Sequence, residues 1–231
     1  MTAPKWEDPK TLPNSERWHG DLLAMDPGVR SPGLALFRHG VLVACTRLKV
    51  PDSYAELPEA ERWIRVADLG ADWWQAQQDG VKRTVRTLIY ERPQWYSETR
   101  GKSKGDPNKL AHVLGVGQSL SVMFAMHNSH EGSRQPELLS PTPAEWTGQV
   151  PKTDRAGKLP KDPRKSPRHA RVWAALAPGE KAICLHRGED GALTDTLLRD
   201  VNNDAFDGIG LGLFALGRYK ASGQRVFAGA S

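Results

Sequence analysis

The sequence predicts an α/β fold: a mixed five-stranded sheet, with three antiparallel strands followed by parallel strands, flanked by helices. Apolar runs of strand length, separated by turns that contain Gly and Pro, fill residues 21–49. Beyond residue 58, segments with apolar residues at helical spacing alternate with short apolar strands. The order β-β-β-α-β-α-β-α-α differs from a doubly wound alternation. Hairpins make its first part antiparallel, and right-handed crossovers add the parallel strands.

The first three strands are predicted at about residues 21–27, 32–38 and 41–49. The first strand stops at a single acid, Asp26, and a turn rich in Pro and Gly follows it. A short hairpin turn, Arg38-His39-Gly40, joins the second strand to the third, with Gly at the position that needs a positive φ. These hairpins and the later crossovers predict that the first strand lies centrally, beside the fourth.

The later elements follow from periodicity and from helix start signals such as Pro58. We predict a helix at about 58–79, a strand at 84–90, a helix at 108–127, a strand at 137–140, a helical turn at 144–146, helices at 169–177 and 203–220, and a short strand at 181–186. Three regions result: a flexible N-terminal arm (1–20), one domain (21–222) with an irregular basic insert at about 151–168, and a C-terminal tail (223–231).

Composition narrows the class of protein. The 231 residues carry a net charge of +5 and suit one generous α/β domain. The longest apolar stretches are about half of what a membrane span needs, and the N-terminus lacks a signal-peptide pattern. Cys45 and Cys184 both sit in short apolar runs and are predicted to be reduced core residues. We therefore expect a cytoplasmic protein without a membrane partner.

Lysine and arginine concentrate in two stretches, residues 99–109 and 152–171. Such runs favour a polyanion partner such as nucleic acid, although a solvated loop is the alternative explanation. The candidate phosphate-binding residues, which the sequence does not rank, are Arg100, Lys102, Lys104, Lys109, Lys152, Lys158, Lys161, Lys165 and Arg168.

Four acids are predicted to meet at one edge of the sheet. Asp26 and Glu91 each end a strand, and these strands are predicted to be parallel neighbours, so both acids emerge where open α/β sheets bind ligands. Asp204 and Asp207 are spaced i, i+3 and share a face of the last helix's first turn. Helix capping and the helix dipole are an alternative explanation for this second pair.

Four converging carboxylates would repel each other without a cation. Hard oxygen ligands suit Mg²⁺ or Mn²⁺. Two such ions about 3.5–4 Å apart would activate a water and stabilise the leaving oxygen of a phosphodiester. Other polar candidates are weaker: His127 and His130 suit a helix C-terminus better than a zinc site, and His169 and His186 could contact phosphate.

The segments DPGVRSPGLAL, IYERP, SPTPAEWTG with basic residues after it, and DAFDGIGLG occur in this order. Across about residues 20–220 the chain thereby resembles the RuvC-type Holliday junction resolvases of the RNase H-like superfamily. The resemblance implies an RNase H-like fold and makes Asp26, Glu91, Asp204 and Asp207 the catalytic ligands of two Mg²⁺ ions, which Mn²⁺ would replace. It implies a homodimer that nicks four-way DNA junctions symmetrically.

In that family an aromatic residue shortly after the second acid inserts into the junction. Trp95 or Tyr96 would be its counterpart here, with a surface loop anchor as the alternative. The chain departs from the cellular resolvases in its polar N-terminal arm, its basic loop Ser97–Lys109, its longer insert Pro151–Arg168, and Trp146 near the usual place of a DNA-binding lysine. These differences are what a divergent, phage-encoded version would show.

Three other functions stay open at this point. One is a less selective nuclease that cuts branched or flap DNA, and another is a junction-binding module without catalysis. The third is a phosphotransferase of the sugar-kinase or actin type, which also opens with an acid-Gly hairpin such as Asp26-Pro27-Gly28. That class needs a second phosphate-binding hairpin, which we do not find in the sequence.

Overall fold

A computed structural model describes residues 20–28, 30–78, 83–92, 107–148, 150–153 and 157–219. The strands of its main sheet are β1 (Asp21–Asp26), β2 (Gly33–Arg38), β3 (Val41–Arg47), β4 (Val85–Tyr90) and β5 (Glu137–Leu139). They are ordered β3-β2-β1-β4-β5. β2 is antiparallel to β1 and β3, and β4 is parallel to β1 and β5. The predicted mixed sheet of the RNase H-like fold, with β1 at its centre, is confirmed.

Helices cover both faces of this sheet. One face carries α1 (Glu59–Ala76) and α2 (Pro107–His130). The other carries α3 (Pro143–Thr147), α4 (Pro167–Ala175), α5 (Pro178–Cys184) and α6 (Asn203–Ala215). Single 3-10 turns lie at Asp52–Glu56 and Pro163–Lys165, and a small hairpin is formed by β6 (Leu185–Arg187) and β7 (Leu193–Leu197). None of the helices in the described ranges has the length and apolarity that a membrane crossing requires.

Strand alternation divides the interior into two cores. On β1, Leu22 and Ala24 point into the core under α6, while Leu23 and Met25 point into the core under α1 and α2. All four side chains are buried, as expected for a central strand with helices on both faces. The same alternation directs the side chain of Asp26 toward α6.

Two glycines let α6 lie directly on β2. A Cβ at Gly33 would overlap the backbone carbonyl of Asp204, and a Cβ at Gly208 would stand 3.0 Å from the carbonyl oxygen of Gly33. Only residues without side chains permit backbones to approach this closely. The contact fixes the first turn of α6 beside the end of β1.

The observed elements differ from the predicted ones in the last third of the chain. The predicted strand at 181–186 is wrong over its first part, because α5 continues to Cys184 and β6 begins only at Leu185. Sequence reasoning also missed β7, whose exposed alternation forms only a two-stranded ribbon. The last helix ends at Ala215, not near residue 220, because Gly217 adopts a φ of 70° and terminates it.

The two cysteines are free thiols, and their sulfur atoms lie 3.7 Å apart between β3 and the end of α5. Cys184 is buried and Cys45 partly buried, so both belong to the core as predicted. The predicted N-terminal arm and C-terminal tail lie outside the described residues and stay predictions.

Candidate active site

The first two acids sit on neighbouring parallel strands. Asp26 is the last residue of β1, and Glu91 directly follows β4. The backbone nitrogen of Glu91 donates to the carbonyl oxygen of Met25 at 3.2 Å, which extends the β1–β4 ladder by one residue. The predicted parallel pairing of these strands is therefore confirmed, and it brings the two acids to one edge of the sheet.

The other two acids come from the first two turns of α6. Asn202 caps this helix: its Oδ1 accepts from the backbone nitrogens of Asp204 at 3.0 Å and of Ala205 at 3.2 Å. The N-cap is therefore Asn202, and neither Asp204 nor Asp207 provides it. Asp204 instead accepts at Oδ2 from Ser31 Oγ at 2.8 Å and from Asn202 Nδ2 at 3.3 Å.

Three of the four acids form what we call the acidic cluster: Asp26, Asp204 and Asp207 each offer a carboxylate oxygen, and these oxygens all lie within 4.8 Å of one another. Asp26 and Asp204 are half-buried, and Asp207 is buried. Glu91 lies beside this cluster, and its Oε2 accepts a hydrogen bond from Trp146 Nε1 at 2.7 Å. Four carboxylates therefore lie at this edge of the sheet, and three of them have oxygens within 4.8 Å of one another.

Repulsion between the carboxylates makes the acidic cluster unfavourable when no cation is bound. Burial, together with the charges of Glu91 and Asp207, raises the pKa of Asp26 well above its ordinary range. Burial raises the pKa of Glu91 to about 7, although the Trp146 hydrogen bond favours its charged form. A divalent cation would reverse both effects. A set of three carboxylate oxygens at this spacing fits a hard cation such as Mg²⁺ or Mn²⁺.

Basic side chains from the insert surround the fourth acid. Lys152 Nζ forms an ion pair with Oδ2 of Asp207, and Arg168 Nη1 lies 3.7 Å from its Oδ1. Burial would lower the pKa of Lys152, but the charges of Asp207, Asp26 and Asp204 outweigh burial and raise it. Burial would likewise raise the pKa of Asp207, yet the hydrogen bond with His169 and the charge of Lys152 lower it. Asp207 is therefore held as a carboxylate.

The predicted DNA-binding residues divide into four groups. Lys152 and Arg168 lie at the acids, whereas Lys158, Lys161 and Lys165 are exposed on the insert. Lys109 lies in the first turn of α2. The remaining predicted contacts lie outside the described residues, and they are Trp95, Tyr96, Arg100, Lys102 and Lys104.

Sequence reasoning missed two buried partners of the acids. Trp146 is fully buried, donates to Glu91, and lies under the guanidinium of Arg168 at 5.6 Å from its ring centroid. His169 was expected to contact phosphate, which is wrong, because its ring is fully buried and its Nε2 lies 2.9 Å from Oδ1 of Asp207. Neither contact has a local sequence signal, since each joins residues at least 38 positions apart.

His127 and His186, which the sequence suggested as candidates, lie outside the acidic site. His127, in the last turn of α2, packs edge-on against Trp74 with ring centroids 5.2 Å apart. Its Nε2 lies 3.4 Å from the carbonyl oxygen of Arg83, which agrees with a structural role in place of a zinc site. His186 is exposed on β6, and its Nδ1 lies 2.7 Å from the carbonyl oxygen of Arg187.

The solved structures to which this chain is similar include two of RuvC from Thermus thermophilus. One, described as RuvC in complex with Holliday junction substrate, shares 14% sequence identity at a TM-score of 0.44, over 87% of this chain and 99% of that chain. The other shares 12% identity at a TM-score of 0.43, over 87% of this chain and 98% of that chain. No protein-family model matches the sequence. No curated protein matches it either. The fold assignment rests on the strand order and directions given above.

Proposed function

We propose that this protein is a metal-dependent endonuclease that resolves four-way DNA junctions by paired symmetrical nicks. Asp26, Glu91, Asp204 and Asp207 would hold two Mg²⁺ ions, or Mn²⁺ in their place. The observation that carries the proposal is the acidic cluster, whose carboxylate oxygens lie within 4.8 Å of one another at the sheet edge. Structural ion pairing does not explain a cluster whose central member, Asp26, is destabilised by its acidic neighbours.

The bound ions would supply an activated water and charge neutralisation at the scissile phosphate. Other residues of the protein orient the carboxylates that would bind these ions. Ser31 and Asn202 fix Asp204, and Trp146 fixes Glu91. The close contact at Gly33 keeps the start of α6 against the sheet, so the acids from α6 and from β1 stay together. Such preorganisation lowers the cost of reaching the reactive geometry.

The basic residues would bind the DNA backbone. Lys158, Lys161 and Lys165 are exposed on the insert, where the carbonyl oxygen of Pro160 accepts from Asn203 Nδ2 at 3.1 Å. A phosphate backbone attracts such lysines because their binding releases counterions. We propose the same role for Arg100, Lys102, Lys104 and Lys109, and junction stacking for Trp95, with Tyr96 as the second candidate. By the family resemblance, a homodimer would present one site to each of two strands. The proposal places the protein in the cytoplasm of a bacterium or of a phage-infected cell.

The test is a cleavage assay with end-labelled synthetic substrates: a four-way junction, a flap, a linear duplex and a single strand of matched sequence. We expect paired nicks in the junction with Mg²⁺ or Mn²⁺, no cleavage with EDTA, and little cleavage of the other three. Equal cutting of all four substrates would favour the less selective nuclease. Binding of the junction without cleavage in either metal would favour the non-catalytic module.

A further inference from the structure

We infer that His169 is a positioning residue for Asp207: its buried ring anchors one carboxylate oxygen so that the other faces the metal site. This inference rests on the proposed function, because it assumes that Asp207 binds an ion. The geometric basis is the 2.9 Å separation between His169 Nε2 and Asp207 Oδ1. Because a carboxylate oxygen only accepts hydrogen bonds, Nε2 carries the proton of this hydrogen bond.

The ring of His169 is fixed by packing. It lies on α4, its exposed fraction is 0%, and its centroid stands 5.5 Å from the ring of Phe206 on α6. The ring of Trp173, also on α4, lies 6.1 Å from the ring of Phe206. Within the described residues, Nδ1 of His169 has no hydrogen-bond partner. The contact with Asp207 is therefore the polar interaction that orients this imidazole.

The other two partners of Asp207 are less constrained. The side chain of Lys152 is 28% exposed and that of Arg168 is 17% exposed, compared with 0% for His169. Both are long side chains that can move toward DNA phosphates, whereas the imidazole has two rotatable bonds and no open space. His169 is thus the donor that stays in place when ions and substrate enter.

The two oxygens of Asp207 consequently have different roles. Oδ1 faces His169, and Oδ2 faces Lys152, whose ammonium also interacts with the charges of Asp26 and Asp204. Hydrogen bonds to a ligating carboxylate fix its orientation, and removing such a partner typically weakens metal binding about 10–100-fold. Loss of the His169 donor should therefore weaken ion binding without removing any ligand.

The experiment measures Mn²⁺ affinity of metal-free protein by calorimetry, with electron paramagnetic resonance of free Mn²⁺ as an independent readout. His169→Leu removes the donor and should weaken Mn²⁺ binding about 10–100-fold. His169→Gln places an amide nitrogen near the position of Nε2 and should restore affinity to within about threefold of wild type. His186→Gln, at an exposed histidine on β6, should bind as wild type does.

Thermal unfolding without Mn²⁺ separates positioning from folding. If His169→Leu does not fold, the comparison passes to His169→Asn, whose amide is one methylene too short to reach Asp207, against His169→Gln. Equal weakening in the donor-retaining and donor-lacking variants, or wild-type affinity in the donor-lacking one, would overturn the inference. Absence of Mn²⁺ binding by the wild-type protein would instead overturn the proposed function, and this inference with it.

Discussion

The two ends of β1 carry the same residue in opposite surroundings. Asp21 begins the strand, is 1% exposed, and accepts hydrogen bonds from Trp74 Nε1 at 3.0 Å and Arg38 Nε at 3.2 Å. Asp26 ends the strand, and the charges of Glu91, Asp207 and Asp204 act against its ionised form. The first aspartate is compensated within the protein, whereas the second is compensated only in part, by Lys152.

This difference separates a structural carboxylate from a functional one. A buried acid with a cation and a neutral donor contributes to a unique packing arrangement, and its removal leaves the partner uncompensated. A buried acid among other acids destabilises the metal-free protein. Such an arrangement is typical of a functional site, where a bound cation supplies the missing positive charge. The two ends should therefore respond in opposite ways to the same substitution.

The largest effect is expected for Asp26→Asn. If Asp26 binds an ion as proposed, its loss should lower junction cleavage at least about a hundredfold, because such ions contribute several kcal/mol to transition-state stabilisation. Junction binding should persist, since the amide has nearly the same shape. The melting temperature of the metal-free variant should rise, because one charge of the cluster is gone. Cleavage at the wild-type rate would contradict the assignment of Asp26, and gel-shift, cleavage and thermal unfolding assays check the three outcomes.

Asp21→Asn should have the opposite profile. Loss of the carboxylate leaves Arg38 without its buried partner, and we expect the free energy of unfolding to fall by about 3 kcal/mol. Mn²⁺ affinity of the folded variant should not change, because Asp21 lies at the far end of β1 from the acidic cluster. Urea unfolding measures the first quantity, with Asp72→Asn on the exposed face of α1 as the matched control. A loss no larger than that of the control would mean that the ion pair contributes nothing.

Gly33→Ala tests whether the close contact between α6 and β2 keeps the acids together at the end of β1. The added Cβ would overlap the backbone carbonyl of Asp204, so α6 must move away from β2. We expect a loss of about 1–3 kcal/mol in unfolding free energy and weaker Mn²⁺ binding. Gly179→Ala is the control: its Cβ meets nothing within 4 Å on α5, and this change should stabilise the protein by about 0.5–1 kcal/mol. Unchanged Mn²⁺ affinity in Gly33→Ala would show that the close contact does not set the site.

The sheet and the acids at its edge could be predicted because their signals are local. Alternation and hairpin turns fixed β1 to β3, and right-handed crossovers then left β4 beside β1. These local signals are therefore enough to predict that Asp26 and Glu91 lie at one edge of the sheet. The i, i+3 spacing of Asp204 and Asp207 put both on one face of α6, although sequence alone did not exclude a capping role.

The partners of these acids could not be predicted in the same way. Trp74, which binds Asp21, is 53 residues away from it, and Trp146 is 55 residues away from Glu91. Lys152 lies in an irregular, proline-rich segment and His169 lies on α4, and the contacts of both with Asp207 depend on how these parts pack against α6. Such contacts depend on how the whole domain packs, which a sequence pattern does not describe. The composition of residues 152–171 indicates only that this stretch is basic.

Glu180 is a third acid to compare with Asp21 and Asp26. Because its charge is compensated by groups within the protein, the stability that it contributes should depend on pH. Glu180 on α5 is 2% exposed, and its oxygens lie 2.6 Å and 2.5 Å from the guanidinium nitrogens of Arg218. They also accept from the backbone nitrogens of Leu42 and Ala177, both at 2.8 Å. Burial would raise the pKa of Glu180, but these hydrogen bonds and the charge of Arg218 outweigh it, so the pKa is lowered.

A carboxyl group whose pKa is lower in the folded state stabilises the protein above its unfolded-state pKa, about 4.3 for glutamate. That contribution is lost as the pH falls through the folded-state pKa. Urea unfolding between pH 7 and pH 3 should therefore show a loss of stability in acid that Glu180→Gln lacks. One group can change the slope of stability against pH by at most about 1.4 kcal/mol per pH unit. The variant should be less stable than wild type at pH 7, and the two profiles should converge in acid. If stability depends on pH equally in the variant and the wild type, the partners of Glu180 do not stabilise its ionised form. Glu180 would then differ from Asp21.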